Sequence, residues 1–286
     1  MKGFEAALDV LPERLRRAAA LFGERESVSE FRLRCGETMT ALLPEGERAV
    51  GRMIVSREDL ERLLEICSGA SPYAAAESLR SGYMTVRGGV RIGFCGQVVS
   101  NGGGIRTIKG FSSAAIRIPR EVWGCGAALC DSGFVSTLIL SPPGGGKTTL
   151  LRDMIRCLSR SGKRMALCDE RGEVAALSGG KPGFDLGPCT DVLSGGRKSE
   201  TAMMLLRSMN PDIVAMDEIT AVADIEACQL LCHCGVDLLA TAHAASVAEL
   251  GQRPLYRELL ERRIFRRAVV IRRRGSERLY REEALC

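Results

Sequence analysis

A run of prolines and glycines ahead of one lysine and two threonines is the part of this sequence best suited to chemistry. It separates the apolar segment STLIL from TTLLRDMIRCLSR, whose apolar residues recur at helical spacing. A helix N-terminus attracts anions, and glycines let backbone N–H groups wrap around a phosphate. Lys147 would add a point charge, and the Thr148 hydroxyl would bind Mg²⁺. We therefore predict a phosphate-binding loop made of Ser141, Pro142, Pro143, Gly144, Gly145, Gly146, Lys147, Thr148 and Thr149.

The loop departs from the usual motif at one position. A glycine is expected six residues before the lysine, and this chain has Ser141 there. An ordinary turn between a strand and a helix would also contain glycine and proline. The Gly-Lys-Thr order at the start of a helix favours the phosphate loop, because the cradle from Gly144 to Thr149 is intact.

Four short apolar segments predict the strands of a parallel sheet in the same part of the chain. Helical patterns separate these segments, so the expected order is βαβαβαβ with both faces of the sheet covered. Ligands bind at the carboxyl ends of such strands, which makes the residue after each strand informative. The segments are STLIL at 136–140, RMALC at 164–168, DIVAM at 212–216 and VDLLATA at 236–242.

Polar residues follow the third and fourth of these strands. Asp217 could organise Mg²⁺ and its waters, and Glu218 could orient or deprotonate an attacking water. The same pair could instead cap the next helix, but a phosphate loop on the same sheet favours the metal and catalytic roles. His243 could report whether a γ-phosphate is present, or could be a histidine satisfied at a strand end.

Three carboxylates lie in the five residues from Asp169 to Glu173, directly after the second strand. Glu170 is therefore a second candidate for activating water. The alternative is a charged turn that opens a helix through EVAALSG, because acidic residues are favourable in the first turn of a helix. Both interpretations stay open at this point.

The composition is that of a globular chain with one large or two modest domains. Of its 286 residues, 45% are hydrophobic and 26% are charged, which excludes a disordered chain. No apolar run reaches the ~18 residues that a membrane-spanning helix needs. The first residues, MKGFEAALDVLPERLRRAAALFG, predict an amphipathic helix rather than a cleavable signal, so we expect a cytoplasmic protein.

Twelve cysteines raise the question of disulfides or zinc. They form no C-x-x-C pair, and only Cys228, Cys232, His233 and Cys234 form a cluster. Two ligands could lie on one helical face there, but a second ligand pair with recognisable spacing is missing. We therefore expect these cysteines to act as small apolar residues of the core, in a reducing compartment.

The C-terminal residues 252–286 contain 11 arginines and 5 glutamates, a net charge of +6, whereas the whole chain carries +5. They predict the end of a helix and then two strands, AVVIR and RLYR, around a Gly-Ser turn. A solvated basic edge strand would explain the charge. The alternatives are attraction to an anionic membrane or nucleic acid, or arginines supplied to the nucleotide of a neighbouring subunit.

The beginning of the chain has a different pattern and predicts a small mixed α+β domain over residues 1–122, ahead of a nucleotide-binding domain over residues 123–286. EFRLR, TALL and RMIVS predict short strands. We expect two helices in SREDLERLLEICSGASPYAAAESLRSG, the first capped by Ser56 and Asp59. Alternation around Gly88-Gly89 predicts a β-hairpin.

Four segments together resemble the stage III sporulation protein AA family: PPGGGKTTLLRD, CDERGEVA, DVLSGGRKSETAMMLLRSMNPDIVAMDEI and ATAHA. Upstream, EFRLRCG and SGYMTVRGGVRIGFCGQVV extend the resemblance to most of the chain. That family is related to the ring-forming ATPases of type II and type IV secretion. The resemblance implies a cytoplasmic ATPase of the mother cell, associated with a secretion-like membrane complex that connects mother cell and forespore. It also implies that arginines of the first domain can close over the nucleotide.

These expectations combine into a P-loop NTPase domain of the RecA/AAA type behind a smaller mixed α+β domain, in a homo-oligomeric ring for which a hexamer is plausible. Its reaction would be attack of water on Mg·ATP, with Lys147 stabilising charge and Glu218 or Glu170 activating the water. Thr148 and Asp217 would hold Mg²⁺, and His243 would sense the γ-phosphate. A partner or the first domain would supply an arginine; the candidates are Arg87, Arg91, Arg106, Arg117, Arg262, Arg263, Arg266 and Arg267.

A different class of function is a nucleotide-gated ATPase that binds nucleic acid through the arginine-rich C-terminal segment. A nucleotide or metabolite kinase is a weaker third alternative, because nothing in the sequence resembles a mobile arginine-rich lid.

Overall fold

The computed structural model describes residues 2–285 except 70, 72–75, 77, 78, 80, 81, 102, 103, 120, 132, 178, 179, 275 and 276. The chain forms two compact units. Unit 1 contains Met1–Glu121 and Ala176–Gly183, and unit 2 contains Val122–Ala175 and Phe184–Cys286. That residues 1–122 and 123–286 are separate domains, each able to fold independently, stays a prediction.

Unit 1 is built on an antiparallel sheet, and its helices pack with one face of that sheet around a single core. Its described helices are α1 (Lys2–Val10), α2 (Glu13–Ala20) and α3 (Arg57–Cys67). Strand β2 alternates buried and half-buried residues, as expected where only one face of a sheet is covered. In the order β3-β2-β1-β6-β5-β4, the strands are β1 (Glu30–Arg34), β2 (Thr38–Leu43), β3 (Gly46–Ile54), β4 (Tyr83–Thr85), β5 (Arg91–Asn101) and β6 (Gly104–Arg117).

The N-terminal segment forms two helices, and the expectation of a single amphipathic helix is wrong. The chain leaves the helical path at Leu11 and Pro12, between α1 and α2. Proline has no N–H to donate to the preceding turn, and it disfavours helical geometry at the residue before it. Leu8 and Leu15 are buried on either side of the break, so both helices contribute to the core.

The strand predictions for unit 1 are confirmed by β1, β2 and β3. The predicted hairpin is confirmed by β4 and β5, where Tyr83 pairs with Gly93. Gly88 and Gly89 at the turn have φ angles of +79° and +74°, which glycine adopts without the steric cost that a Cβ imposes. The long pairing of β5 with β6 was not predicted. A second helix was predicted after α3, and most of that segment lies outside the described residues.

Helix α3 begins with the predicted capping box. The Ser56 hydroxyl accepts the Asp59 N–H at 3.2 Å, and the Asp59 carboxylate accepts the Ser56 N–H at 2.7 Å. Arg14 of α2 donates its Nε–H to the same carboxylate at 2.7 Å. Burial raises the pKa of Asp59, but the bonds from Arg14 and Ser56 outweigh it and hold that pKa below its usual value.

Replacing Asp59 with asparagine is expected to lower the free energy of unfolding at pH 7 by about 1–2 kcal/mol, since a cap and a charge-assisted bond are lost. A carboxyl whose folded-state pKa is depressed stabilises the protein above its unfolded-state pKa of about 4, and that contribution is lost as pH falls through the folded-state value. The difference in the free energy of unfolding between the wild type and Asp59→Asn should therefore persist down to about pH 4 and shrink below it. Urea unfolding followed by circular dichroism measures it. Glu61→Gln on the exposed side of α3 is the matched control, and equal losses in both variants would contradict the role of the cap.

Unit 2 contains a sheet whose neighbouring strands are parallel except for the pair β12 and β13. In the order β13-β12-β7-β11-β10-β8-β9, its strands are β7 (Thr137–Leu140), β8 (Met165–Asp169), β9 (Thr190–Ser194), β10 (Ile213–Met216), β11 (Asp237–Ala242), β12 (Arg267–Arg274) and β13 (Glu277–Ala284). Its described helices are α4 (Ala127–Asp131), α5 (Lys147–Arg160), α6 (Lys198–Met209), α7 (Val222–His233), α8 (Val247–Gln252) and α9 (Pro254–Glu261).

The four predicted parallel strands are confirmed as β7, β8, β10 and β11. Strand β9 was missed, because its sequence TDVLS is only half apolar and its residues are exposed or half-buried at the sheet edge. The helix considered through EVAALSG does not form, since the described residues 170–177 are irregular. The predicted C-terminal strands are confirmed as β12 and β13, and the turn residues 275 and 276 lie outside the described part of the chain.

The cysteine cluster of α7 divides into two kinds. Cys228 is buried in the core, where burial raises the pKa of its thiol to about 12. Cys232 and Cys234 are exposed, so the expectation of a core position is wrong for these two, which lie at the end of the helix. Within the described residues no group of three or more His, Cys, Asp or Glu side chains could hold a metal ion.

None of the described helices is long and apolar enough to cross a membrane.

Candidate nucleotide-binding site

The predicted phosphate loop connects β7 to α5 in unit 2. Strand β7 is completely buried, and Lys147 is the first residue of α5. Gly144 and Gly146 have φ angles of +72° and +101°, in the left-handed region that glycine tolerates best. The unpaired N–H groups of the first turn of α5 therefore lie next to a tight, glycine-dependent turn, which is the geometry of an anion site.

Ser141 fills space beside the loop. It is fully buried, and its hydroxyl donates to the carbonyl oxygen of Pro142 at 2.8 Å. A Cβ on Gly145 would lie 2.2 Å from the Ser141 Oγ atom, so the serine occupies the volume that a side chain at 145 would need. The hydroxyl is satisfied within its own turn and does not face the cavity described below.

Replacing Ser141 with glycine is expected to leave ATP turnover within about five-fold of the wild-type rate, since losing one neutral local hydrogen bond costs about 1 kcal/mol. Steady-state phosphate release measures the effect. Gly145→Ala is the comparison, because it introduces the clash with Ser141 and should impair the loop far more. A loss with Ser141→Gly as large as that of Gly145→Ala would show that the serine hydroxyl is itself functional.

Lys147 is a buried cation. Only 6% of the residue is exposed, and its ammonium donates to the Ser141 carbonyl at 3.3 Å and to His243 Nδ1 at 2.9 Å. Burial lowers the pKa of Lys147, while Asp217 and Glu218 act in the opposite direction. No carboxylate among the described residues forms an ion pair with it. A buried charge without a counter-ion is costly, so this position suits an anionic ligand.

Oxygen atoms from two elements meet at Asp217, directly after β10. The Thr148 hydroxyl of α5 donates to one carboxylate oxygen at 3.0 Å, and the Thr241 hydroxyl of β11 donates to the other at 2.7 Å. Thr241 also accepts the Glu218 N–H at 2.8 Å. A hydroxyl facing a carboxylate is a donor set of hard oxygens, which fits Mg²⁺ completed by water and phosphate.

Glu218 is held from two sides in an uncommon backbone conformation. Its φ of +58° lies in the left-handed region, which costs free energy at a non-glycine residue. Its carboxylate contacts His243 Nε2 and the guanidinium of Arg171, the latter at 3.0 Å. Since Lys147 donates to His243 Nδ1, the Nε2 atom carries the proton that faces Glu218. Lys147, His243 and Glu218 thus form one connected chain.

The acidic turn after β8 is fixed by its first carboxylate. Asp169 accepts the N–H groups of Glu173, Val174 and Ala175 at 2.8–3.2 Å. The next carboxylate, Glu170, accepts a hydrogen bond at 2.7 Å from Lys198, which is 6% exposed. Glu170 therefore already has a cationic partner in the described structure.

These groups surround one cavity of about 340 Å³. Most of the predicted site residues line it, whereas Ser141, Pro142, Pro143 and Gly145 do not. Lys198 and Arg278, which line this wall, and Thr241, which bonds to Asp217, were not predicted from the sequence. Threonine at a strand end was the available signal for Thr241; nothing local marks the other two. The predicted residues in the cavity wall are Gly144, Gly146, Lys147, Thr148, Thr149, Glu170, Asp217, Glu218 and His243.

The chain matches the family described as "Sporulation stage III, protein AA" over residues 4–279. It belongs to the stage III sporulation protein AA family. The Stage III sporulation protein AA of Bacillus subtilis (strain 168) is 34% identical over 276 residues, which cover 93% of this chain and 90% of that protein. The resemblance predicted from the motifs is therefore confirmed, and several of the family segments quoted above contribute directly to the cavity wall.

Solved structures with a similar fold include a pilus retraction motor and a bacterial ATPase. The pilus retraction motor PilT with bound ADP aligns at a TM-score of 0.64 and 15% identity, over 94% of this chain and 81% of its own. The Legionella pneumophila ATPase DotB aligns at a TM-score of 0.58 and 15% identity, over 94% of this chain and 78% of its own. At these identities the likeness establishes the fold. It confirms that this family member has a P-loop NTPase parallel-sheet domain preceded by a smaller mixed α+β domain.

Proposed function

We propose that this protein is a Mg²⁺-dependent ATPase that assembles into a ring and energises a secretion-like membrane complex between mother cell and forespore. The proposal depends above all on one observation: Lys147, which is buried and has no carboxylate partner among the described residues, lines the same cavity as Glu218 and the Thr148–Asp217 oxygen pair. The similarity in fold to a pilus retraction motor and to the ATPase DotB supports the motor function, and membership of the family supports the role in sporulation.

Each step of hydrolysis can be assigned to a group of this chain. Lys147 and the N–H groups of the first turn of α5 would bind the outer phosphates of ATP. Thr148 and Asp217 would hold Mg²⁺, which when bound would draw charge from the phosphate oxygens. Glu218 would orient the attacking water and accept its proton. Thr241 would keep Asp217 and the backbone of Glu218 in register, because its hydroxyl contacts both.

The surroundings of the two glutamates favour Glu218 as the residue that activates water. Glu218 is connected to Lys147 through His243, so it lies on the phosphate side of the cavity. Its side chain is 19% exposed, against 40% for Glu170. Glu170 bonds to Lys198 and is not part of the chain that joins Lys147, His243 and Glu218. His243, which contacts both Lys147 and Glu218, would report the arrival of a γ-phosphate between them.

The nucleic-acid alternative receives less support from the placement of the C-terminal arginines. Arg267 is buried and donates to Thr137 and to the Leu129 carbonyl within unit 2. Arg262 bonds to Glu258 and Gln229. Part of the positive charge of the C-terminal segment is therefore used in hydrogen bonds and ion pairs within unit 2. Salt titrations against DNA, RNA and anionic liposomes distinguish a solvated basic edge from a binding surface, since phosphate contacts weaken steeply with salt.

Phosphate release from ATP by the full chain, with Mg²⁺ and without an added acceptor, tests the proposed reaction. Release that requires Mg²⁺ is the expected result. Phosphate transfer that needs an acceptor would instead indicate a kinase, and no nucleotide binding at all would reject both activities.

Turnover per chain is expected to rise with protein concentration as rings form, because the described part of unit 2 places only Arg171 and Arg278 as arginines in the cavity wall. Arg267 and Arg262 are engaged within unit 2, and the Arg87 side chain lies outside the described residues. Arg106, Arg263 and Arg266 are exposed and are the better candidates for an arginine acting across subunits.

Phosphate release across a range of protein concentrations, with the oligomeric state determined in parallel, measures this effect. Mixing a Lys147→Ala chain with a chain that lacks the critical arginine should restore part of the activity, because each supplies what the other lacks. Constant turnover from a monomer, with every candidate arginine dispensable, would rule out catalysis across subunits.

A further inference from the structure

One arginine of the C-terminal hairpin lies against the phosphate loop. Arg278, in β13, donates its Nε–H to the Gly145 carbonyl at 3.2 Å. A Cβ on Gly146 would lie 2.7 Å from that same Nε atom, so the guanidinium covers the loop where the chain has no side chain. Arg278 also lines the cavity. Its terminal nitrogens make no hydrogen bond to any described residue, which leaves them available to a ligand.

The two faces of β13 serve different purposes. Because side chains alternate along a strand, Arg278, Tyr280 and Glu282 share one face. On that face Tyr280 packs against the core beside α5, and Glu282 forms an ion pair with Arg267 at 2.8 Å. Arg281 therefore lies on the opposite face, where it pairs with Glu283. The register of the hairpin therefore places Arg278 at the phosphate loop, whereas Arg281 lies on the face of β13 that is turned away from the loop.

The strand order indicates how the phosphate chain of a nucleotide bound at this loop would be oriented across the edge of the sheet. Going one way from β7, the sheet continues through β11 to β10, whose end carries Asp217 and Glu218. Going the other way, it continues through β12 to β13. If the carboxylates after β10 serve the γ-phosphate, the phosphate chain runs across the end of β7 and its α-phosphate end points towards β13. Arg278 lies on that side.

We propose that the terminal guanidinium nitrogens of Arg278 bind the α-phosphate of the nucleotide, at the end of the phosphate chain opposite Glu218. The bond to Gly145 aims the side chain, and the planar guanidinium then presents its remaining N–H donors to phosphate oxygens. This inference rests on the proposed ATP site and adds a second cation to it. Lys147 binds the outer phosphates, and Arg278 binds the inner one.

Binding of ATP, ADP and inorganic tripolyphosphate to the full chain and its variants tests the assignment. Arg278→Ala is expected to weaken all three by about tenfold, the size of one charge-assisted hydrogen bond at a half-open site. The loss should be equal for ATP and ADP, because both carry the α-phosphate. Arg278→Lys should recover part of it. Arg281→Ala removes the same charge from the other face of the same strand and should leave all three affinities unchanged.

Several outcomes would overturn the inference. Unchanged affinity in Arg278→Ala, or an equal loss in Arg281→Ala, would mean that the contact is incidental or that only net charge matters. A loss confined to ATP would place the side chain at the γ-phosphate, and a loss that spares tripolyphosphate would place it on the base. A wild-type chain that binds no ATP would instead refute the proposed function, which separates the two failures.

Discussion

Lys147→Ala is expected to weaken ATP binding by about a hundredfold or more, because the outer phosphates lose the buried cation of the loop. Alanine also leaves the Ser141 carbonyl and His243 without the partner that now bonds to both. Isothermal titration with ATP and Mg²⁺ measures the affinity, and circular dichroism shows whether the variant is folded. Lys163→Ala, an exposed lysine beyond the end of α5, is the control for removing one positive charge.

Nucleotide affinity that is unaltered in folded Lys147→Ala would remove the case for a phosphate loop at this position. A parallel loss in Lys163→Ala would show that net charge, and not the buried ammonium, attracts the nucleotide.

Glu218→Gln should bind ATP normally and hydrolyse it about 10²–10⁴-fold more slowly, the usual contribution of a positioned general base. Glutamine keeps the size of the side chain, and its one carbonyl oxygen can still accept from His243 or Arg171, but it cannot accept a proton from water. Binding and turnover measured on the same preparation separate these effects. Glu170→Gln is the matched control in the same cavity, and we expect its turnover to stay within a few-fold of wild type because Glu170 is not part of the chain that joins Lys147, His243 and Glu218.

If the slow phenotype belongs to Glu170→Gln and Glu218→Gln turns over normally, the roles of the two carboxylates are reversed. Loss of ATP binding in Glu218→Gln would indicate that the residue holds the site together rather than acting on water.

The sequence revealed the features of this site whose chemistry is local. The phosphate loop was predicted because its glycines, lysine and threonines are consecutive, and the strands β7, β8, β10 and β11 because each is a short, largely apolar run. Contacts between side chains that only the order of the strands brings together could not be predicted from the sequence in this way. Thr241 was not predicted as a site residue, because only the parallel pairing of β10 with β11 brings its hydroxyl to Asp217.

Lys198 and Arg278 illustrate the same limit over longer distances. Lys198 starts α6 and reaches Glu170 across 28 positions of sequence, and Arg278 reaches Gly145 across 133. Neither side chain has a neighbour that marks it as part of a site. Strand β9 was missed for a different reason, since an edge strand buries too little of itself to need an apolar sequence.

The interruption of unit 2 by Ala176–Gly183 constrains the order in which the protein can fold as it is synthesised. Unit 1 lacks this segment until residue 183 has left the ribosome, and by then β7, α5 and β8 have already emerged. In the completed part of unit 1, Gly183 lies so close to Gly89 that a Cβ would be 2.7 Å from its nitrogen. The N-terminal unit of this chain therefore cannot be completed until the first part of unit 2 has been synthesised, in contrast to the usual domain-by-domain order of a growing polypeptide.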